Sequence, residues 1–384
     1  VSLRVALLSY RGKEHCGGQG VYIRHLSREL AALGHYVEVI AGPPYPVVDP
    51  GVRLTKLPGL DLYAEPNPFR TPRLSELRRI PDWVEFAGMR LGRFSEPLAF
   101  SLRVRRHLAA RRGEFDVVHD NQSLGYGLLG IRGVPVMATI HHPVSIDSEM
   151  TSGSQRWYRF TRMQRRVAQR LPLVLTVSSA SRAEIISRMD VRPARIRVTP
   201  LSADRIFRPG KPVPGRIVCV ASADEPLKGL DYLLAAFAEA RRQRDCELLV
   251  IGRPKPARQS DATFVANLPA AEYAELIASA EIVCVPSLFE GFSLPAVEAM
   301  ACGVPVVATT GGALPEVVGN GGMLVPPGDS AALARALTDL LADSAARARA
   351  GQAGIARASQ LSWRRTAEET VACYHELLGS VRPC

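Results

Sequence analysis

The sequence predicts an α/β protein built from two doubly wound parallel sheets, one in each half of its 384 residues. Three observations carry that expectation. A β-loop-α-β unit opens the chain between Arg4 and Ala41. A stretch poor in helix and strand formers, Arg208-Pro209-Gly210-Lys211-Pro212-Val213-Pro214-Gly215, lies near the middle and reads as a linker. Beyond it, Arg216 to Ala221 starts a second series of short apolar runs alternating with helical stretches. The length fits two domains of roughly 180 residues each.

Taken in order, Arg4 to Ser9 is a strand, Cys16 to Gly20 a tight loop, Val21 to Leu33 a helix stopped by Gly34, and Tyr36 to Ala41 the next strand. Gly17, Gly18 and Gly20 let backbone approach a ligand closely. The loop is not a full G-x-G-x-x-G, and no acidic residue ends the second strand to hold an adenosine ribose. Residues 43–112 are Pro-rich and then basic, with Phe69, Trp83, Phe86, Phe94 and Phe100 interleaved. They fit either a helical hairpin with its aromatics turned inward or a flap that contacts an acceptor or a membrane.

Phe115 to Asn121 and Gly133 to His142 are strands with polar tips, carrying His119, Asn121 and His141. In open α/β sheets such tips face the ligand crevice. Arg156 to Leu171 is amphipathic, with Trp157, Phe160, Met163, Val167 and Leu171 on one side and arginines on the other. That pattern suits a surface helix laid on the sheet and also a lipid-facing one. In the second half, Lys228 sits in a strand-to-helix loop, where a compact positive charge can meet phosphate oxygens. Arg253 ends the strand Leu248 to Ile251 and its Gly.

The stretch most informative about function is Glu290-Gly291-Phe292-Ser293-Leu294-Pro295-Ala296-Val297-Glu298, which follows the buried-strand pattern Ile282 to Val285. Pro295 suits the first turn of a helix, and Gly303 with Pro305 marks its end. Free backbone N–H groups around Phe292 to Leu294 then lie at the positive end of a helix dipole and suit a phosphate or diphosphate. Glu290 and Glu298 flank them, and carboxylates accept hydrogen bonds from sugar hydroxyls on either side of a diphosphate. An isolated pair of glutamates at this spacing is more often just a loop and a core helix whose carboxylates face solvent; only the surrounding string makes the pair informative.

The full string Pro-Ser-x-x-Glu-Gly-Phe-Ser-Leu-Pro-x-x-Glu-Ala-Met resembles the signature of family 4 of the retaining glycosyltransferases, which have the GT-B fold. The likeness spans nearly the whole chain and is strongest from 216 to 330. It implies two Rossmann-like domains facing a cleft, with domains at 1–207 and 208–365 and a C-terminal helix, 366–384, crossing back. It also implies transfer of a hexose, mannose or glucose foremost, from a UDP- or GDP-linked donor to a glycolipid or glycan acceptor.

By the same resemblance Glu298 holds the ribose, and Glu290 with the amides of Gly291, Phe292, Ser293 and Leu294 holds the donor sugar and diphosphate. Lys228 stabilises the leaving diphosphate, and Gly18 and Gly20, with Gly17, lie under it. His119 and His141 are further cleft contacts. Two positions depart from the family pattern. Asn121 stands where a histidine often contacts the donor sugar, and Ala223 replaces an arginine that binds diphosphate, a charge that Arg253 is expected to replace. No Asp-x-Asp triplet is present, so the expected chemistry needs no metal or other cofactor. A nucleotide-sugar epimerase and a binding protein without catalysis remain alternatives on the same fold.

Seven scattered cysteines without a C-x-x-C pair point to neither zinc nor disulfides. A net charge of +11 fits an anionic membrane surface or anionic ligands, with nucleic acid not expected, and biased base composition would also produce it. No apolar run reaches the ~18 residues of a membrane span. The chain enters its first strand with no room for a signal peptide, which predicts a cytoplasmic protein, peripheral on the membrane at most.

Overall fold

The computed structural model describes residues 2–12, 18–62, 70–146, 154–221, 225–253, 261–266 and 268–381. The chain divides into two compact units. Unit 1 comprises Val1–Val177, Arg182–Thr199 and Arg364–Cys384; unit 2 comprises Ser178–Ser181 and Pro200–Trp363. The segment 200–207, grouped with the first domain on sequence, therefore packs with unit 2. The terminal helix Trp363–Val381 belongs almost wholly to unit 1.

Unit 1 holds a seven-stranded parallel sheet in the order β3-β2-β1-β4-β5-β6-β7. Its strands are β1 (Arg4–Ser9), β2 (Tyr36–Ala41), β3 (Arg53–Lys56), β4 (Val117–Asn121), β5 (Val136–Ile140), β6 (Val174–Thr176) and β7 (Ile196–Val198). β1 and β4 are neighbours, with Ser9 opposite Asn121. The order reverses direction there, which makes their carboxyl ends the topological switch point. Near-continuous apolar strands are what a sheet covered on both faces demands. Accordingly Val5, Leu7, Leu8, Val117 and Val118 are all buried.

The helix after β1 begins at Gly18, three residues earlier than the sequence pattern suggests. Glycines argue locally for a loop, but packing of Tyr22, Ile23, Leu26 and Leu30 into the core carries the helix through them. The basic helix Ser154–Ala168 behaves as a surface helix: Phe160, Met163 and Val167 join the core while Arg159, Arg162, Arg165 and Arg166 stay exposed. Between β3 and β4 lie the helices Ile80–Arg90 and Glu96–Ala109. Phe100 is buried and Phe86 and Phe94 half-buried, whereas Trp83 points outward; Phe69 lies outside the described residues.

Unit 2 holds a six-stranded parallel sheet in the order β10-β9-β8-β11-β12-β13. Here β8 is Arg216–Val220, β9 Glu247–Ile251, β10 Thr263–Val265, β11 Ile282–Val285, β12 Val306–Thr309 and β13 Gly322–Val325. β8 and β11 adjoin with Cys219 opposite Cys284, so this unit has its own switch point. Cys219, Cys246, Cys284 and Cys302 are buried free thiols here, and burial pushes Cys219 up to about 12, an inert core thiol. Among the described residues no helix is long and apolar enough to cross a membrane.

Candidate active site

The loops leaving β8 and β11 meet at the switch point of unit 2. After β8 a short turn, Pro226–Lys228, ends at Gly229, whose φ of 64° is left-handed. A Cβ at Gly229 would stand 2.1 Å from the Pro286 carbonyl oxygen, so only glycine lets the two loops touch. Leu288 N–H donates to the Leu227 carbonyl at 2.7 Å and joins them. The side chains converge as well: Lys228 Nζ lies 2.8 Å from Glu290 Oε1, and Ser287 Oγ donates to that same oxygen at 2.7 Å. Burial opposes the charge on Lys228, but the Glu290 carboxylate outweighs it and the ammonium is raised above its ordinary value.

Glu290 is also fixed from below. The turn after β12 presses Gly311 and Gly312 against the 287–290 backbone, where added Cβ atoms would lie 2.5 Å from Leu288 O and 2.3 Å from Glu290 O. Ala313 N–H donates to Glu290 O at 2.9 Å, and the Thr309 hydroxyl bonds the Ser287 carbonyl. Two further hydroxyls, Ser178 and Ser181, donate to Gly291 O at 2.6 and 3.1 Å. The loop is therefore held at the carbonyls of Ser287, Glu290 and Gly291.

From this loop the helix Leu294–Ala301 starts, with Pro295 in its first turn and Ser293 as N-cap. As in any α-helix, the amides of Ser293, Leu294 and Ala296 have no intrahelical acceptor. Ser293 has φ 83° and ψ 82°, a strained conformation for a residue with a Cβ. Its hydroxyl is buried and has no hydrogen-bond partner among the described residues. One turn into the helix, Glu298 is 6% exposed, and Tyr273 donates to its Oε2 at 2.6 Å. Burial pushes the Glu298 carboxyl up to about 7, with the Tyr273 bond pulling the other way and Asp204 adding to the rise.

In unit 1 the polar tips of β4 and β5 form a second cluster. His141 Nε2 lies 2.8 Å from Asn121 Oδ1, and Asn121 Nδ2 donates to Gln19 O at 3.3 Å. The amide oxygen only accepts, so His141 carries its proton on Nε2. Burial lowers the His141 imidazole to about 3, and it stays neutral. Tyr22 meets its ring edge-on at 4.9 Å.

His119 differs from its sequence-based placement. It is 1% exposed, with Nδ1 2.7 Å from Tyr374 Oη and Nε2 2.7 Å from Thr139 Oγ1, which in turn bonds Tyr22 Oη at 2.8 Å. Both ring nitrogens are thus committed to a core network that fastens the terminal helix to β4 and β5, leaving none for a ligand.

Gly18 and Gly20 stand in the first turn of the helix after β1, whereas Gly17 lies outside the described residues. Arg253 is exposed after β9, and Ala223 lies outside the described residues. Sequence reasoning missed Ser287, Tyr273, Gly311 and Gly312. The first two act through side chains of the glutamates. The glycine pair read only as a tight turn, and nothing local announced which loop it would touch. Among the described residues no group of three or more His, Cys, Asp or Glu side chains could hold a metal ion.

Comparison with known proteins decides the family. Residues 16–205 match the family described as Glycosyltransferase Family 4, and residues 214–343 match Glycosyl transferases group 1. The chain is 48% identical, over all of both chains, to the MMP alpha-(1->4)-mannosyltransferase of Mycolicibacterium hassiacum. It belongs to glycosyltransferase family 4.

The fold of this glycosyltransferase is GT-B. Sucrose-phosphate synthase from Thermosynechococcus elongatus superposes with a TM-score of 0.77 at 24% identity, over 98% of this chain and 100% of that one. An Anabaena protein solved in complex with UDP-glucose gives 0.70 at 17% identity, over 99% and 100% of the two chains. At those identities the likeness concerns the fold alone. The family match supports the expected sugar transfer.

Proposed function

We propose that this glycosyltransferase moves a mannosyl group from a UDP- or GDP-linked donor to a hydroxyl of a glycan, forming an α-(1→4) bond with retention at the anomeric carbon. The linkage and sugar rest on the name of the 48% identical relative. The observation that carries the donor site is Ser293. A buried hydroxyl without a partner among the described residues, on a strained residue at a helix N-terminus, has the geometry of a phosphate ligand.

In this reading the diphosphate lies against the amides of Ser293, Leu294 and Ala296, with the Ser293 hydroxyl as a further donor. Glu298, oriented by Tyr273, accepts from the ribose hydroxyls. Glu290, oriented by Ser287, accepts from hydroxyls of the donor sugar. As the bond between the anomeric carbon and the diphosphate oxygen breaks, negative charge builds on that oxygen, and Lys228 stabilises it electrostatically. The acceptor oxygen then bonds the anomeric carbon from the face the diphosphate leaves. Its proton passes to the departing phosphate, giving the nucleoside diphosphate and the lengthened glycan. Neutral His141, held by Asn121, is suited to hydrogen-bond a sugar hydroxyl rather than to serve as a base near neutral pH. No metal ligand set enters this scheme, and full turnover in EDTA is expected.

The test combines thermal stabilisation by UDP, GDP, ADP and their sugar conjugates with a transfer assay on short mannosides. Selection of one base, lost in Glu298→Ala, together with a new α-(1→4) linkage by NMR, is expected. An inverted anomeric product or strict metal dependence would refute the mechanism. Donor binding without transfer to any mannoside would refute the acceptor assignment.

A further inference from the structure

The helix Ile80–Arg90 in unit 1 is turned inside out. Its carboxylates, Asp82 and Glu85, are 8% and 3% exposed, while Ile80 and Trp83 are 77% and 49% exposed. Leu91, just past its end, is 62% exposed, and Leu74 before it 81%. Ile80, Trp83, Ala87 and Leu91 follow the i, i+3, i+7, i+11 spacing of a single helical stripe. Asp82, Glu85 and Met89 occupy the opposite side. A helix of ordinary amphipathicity would be rotated by half a turn.

Two ion pairs hold that orientation. Arg103, on the neighbouring helix Glu96–Ala109, places Nη2 2.8 Å from Asp82 Oδ1 and Nη1 2.6 Å from Glu85 Oε2. Rotating the stripe inward would bring these two carboxylates to water and strip Arg103 of both partners, a large cost for a charge at 10% side-chain exposure. Met89, with Phe86 packed nearby, also anchors the inner side in a small apolar cluster with Leu60, Leu62 and Leu77. The outward stripe is therefore a fixed feature of the surface.

Its charge identifies what covers it. From Arg70 to Ser95 the only carboxylates are Glu76, paired with Arg70, and the two inward ones. Arg73, Arg78, Arg79 and Arg90 are exposed. Among the described residues 70–95, the exposed side thus combines a Trp, Ile and Leu stripe with arginines, and its one outward carboxylate, Glu76, is neutralised by Arg70. A second copy of the chain meeting this face symmetrically would oppose arginines to arginines. A nucleic acid would leave the aliphatic stripe without a partner. We propose that this face, centred on Ile80, Trp83 and Leu91 and rimmed by Arg78, Arg79 and Arg90, docks the protein on an anionic lipid surface, with the stripe in the headgroup–acyl boundary. The proposal is independent of the donor and acceptor assigned above.

Flotation of the full chain with vesicles of phosphatidylglycerol and phosphatidylcholine, against phosphatidylcholine alone, tests it. Binding only to the anionic vesicles is expected, with partitioning reduced about tenfold in Ile80→Ser/Trp83→Ser/Leu91→Ser and, separately, in Arg79→Gln/Arg90→Gln. Trp83 emission should shift to the blue on binding. Both variants replace exposed side chains, so circular dichroism and transfer to a soluble acceptor in lipid-free buffer should match the parent. Equal binding to both vesicle types, binding to neither, or variants that float like the parent would overturn the proposal. So would a doubling of mass in light scattering that the apolar variant abolishes, which would make the stripe a self-association face.

Discussion

Glu290 Oε1 receives two donors at once, the Lys228 ammonium from 2.8 Å and the Ser287 hydroxyl from 2.7 Å. The lysine thus comes from the loop after β8 and the glutamate from the loop after β11, and the pair spans the switch point of the unit 2 sheet. Groups that act as one unit lose their effect together. Lys228→Met should lower kcat by about 10²–10³-fold, the range for removing one donor to a developing oxyanion. Glu290→Gln should cost about tenfold or more. The double variant should be slower than Lys228→Met by clearly less than the Glu290→Gln factor, because part of what the glutamate does is to hold the lysine. Initial rates across the cycle check this, and effects that multiply would show that the two side chains work separately.

Glu298 predicts an opposition between stability and donor binding. Its native carboxyl holds a proton up to about pH 7, against an ordinary value of 4.5. In that window the native state binds more protons than the unfolded chain, so this group's contribution favours folding at low pH and is lost as pH rises from about 4.5 to about 7. Glu298→Gln removes the penalty and keeps an acceptor for Tyr273. Above pH 7 it should gain up to about 3 kcal/mol in unit 2, seen as a melting temperature several degrees higher. The gain should vanish near pH 4. Donor KM should rise about tenfold, the equivalent of 1.4 kcal/mol. A variant equally stable at pH 8 and pH 4, relative to the parent, would contradict the buried-proton account.

The two parallel sheets were legible because buried strands in doubly wound folds are short apolar runs, and periodicity finds those directly. The Glu290 to Glu298 string was legible because a proline, a helix start and two glutamates fall within one contiguous stretch. Contacts between distant segments were not. His119 sits at a polar strand tip in the sequence, which suggests ligand contact. Only the return of Tyr374 from the far end of the chain turns it into a core residue. The helix Ile80–Arg90 left two readings open, its aromatics turned inward or a contact flap, and only the distant Arg103, which captures the carboxylates and turns Trp83 out, decides its orientation. Pairing energies between separated residues outweigh local pattern in both places.

Gly312 supports Glu290 by having no side chain. At φ 63° a Cβ would lie 2.3 Å from the Glu290 carbonyl oxygen and 2.8 Å from its amide nitrogen. Gly312→Ala must therefore push the Glu290 backbone aside, in addition to the left-handed penalty of about 1–2 kcal/mol. A displacement near 1 Å at a positioning residue is enough for a loss of about 10²-fold in turnover. Gly34→Ala is the control, since Gly34 has φ 87° with nothing within 4 Å of its Cβ position. It should show a comparable backbone penalty and unchanged kcat. If both variants keep full activity, the glycine turn does not set the glutamate.

Ser293 is where strain and donor binding are most directly opposed. Its positive φ costs about 1–2 kcal/mol, and its unpartnered buried hydroxyl adds about 1–3 kcal/mol. Ser293→Gly removes both costs, so the free protein should melt at a higher temperature. If the hydroxyl meets the diphosphate, the same change deletes one charge-assisted hydrogen bond from the bound state. Stabilisation by nucleoside diphosphate should then shrink, and Kd should rise about tenfold or more, since such bonds contribute about 1.5–3 kcal/mol. Calorimetric titration of parent and variant with the preferred nucleotide, with and without its diphosphate, separates the cases. Equal weakening for diphosphate and bare nucleoside would place the loss elsewhere in the pocket. A weakening confined to the diphosphate would tie the strained hydroxyl to the group that leaves during transfer.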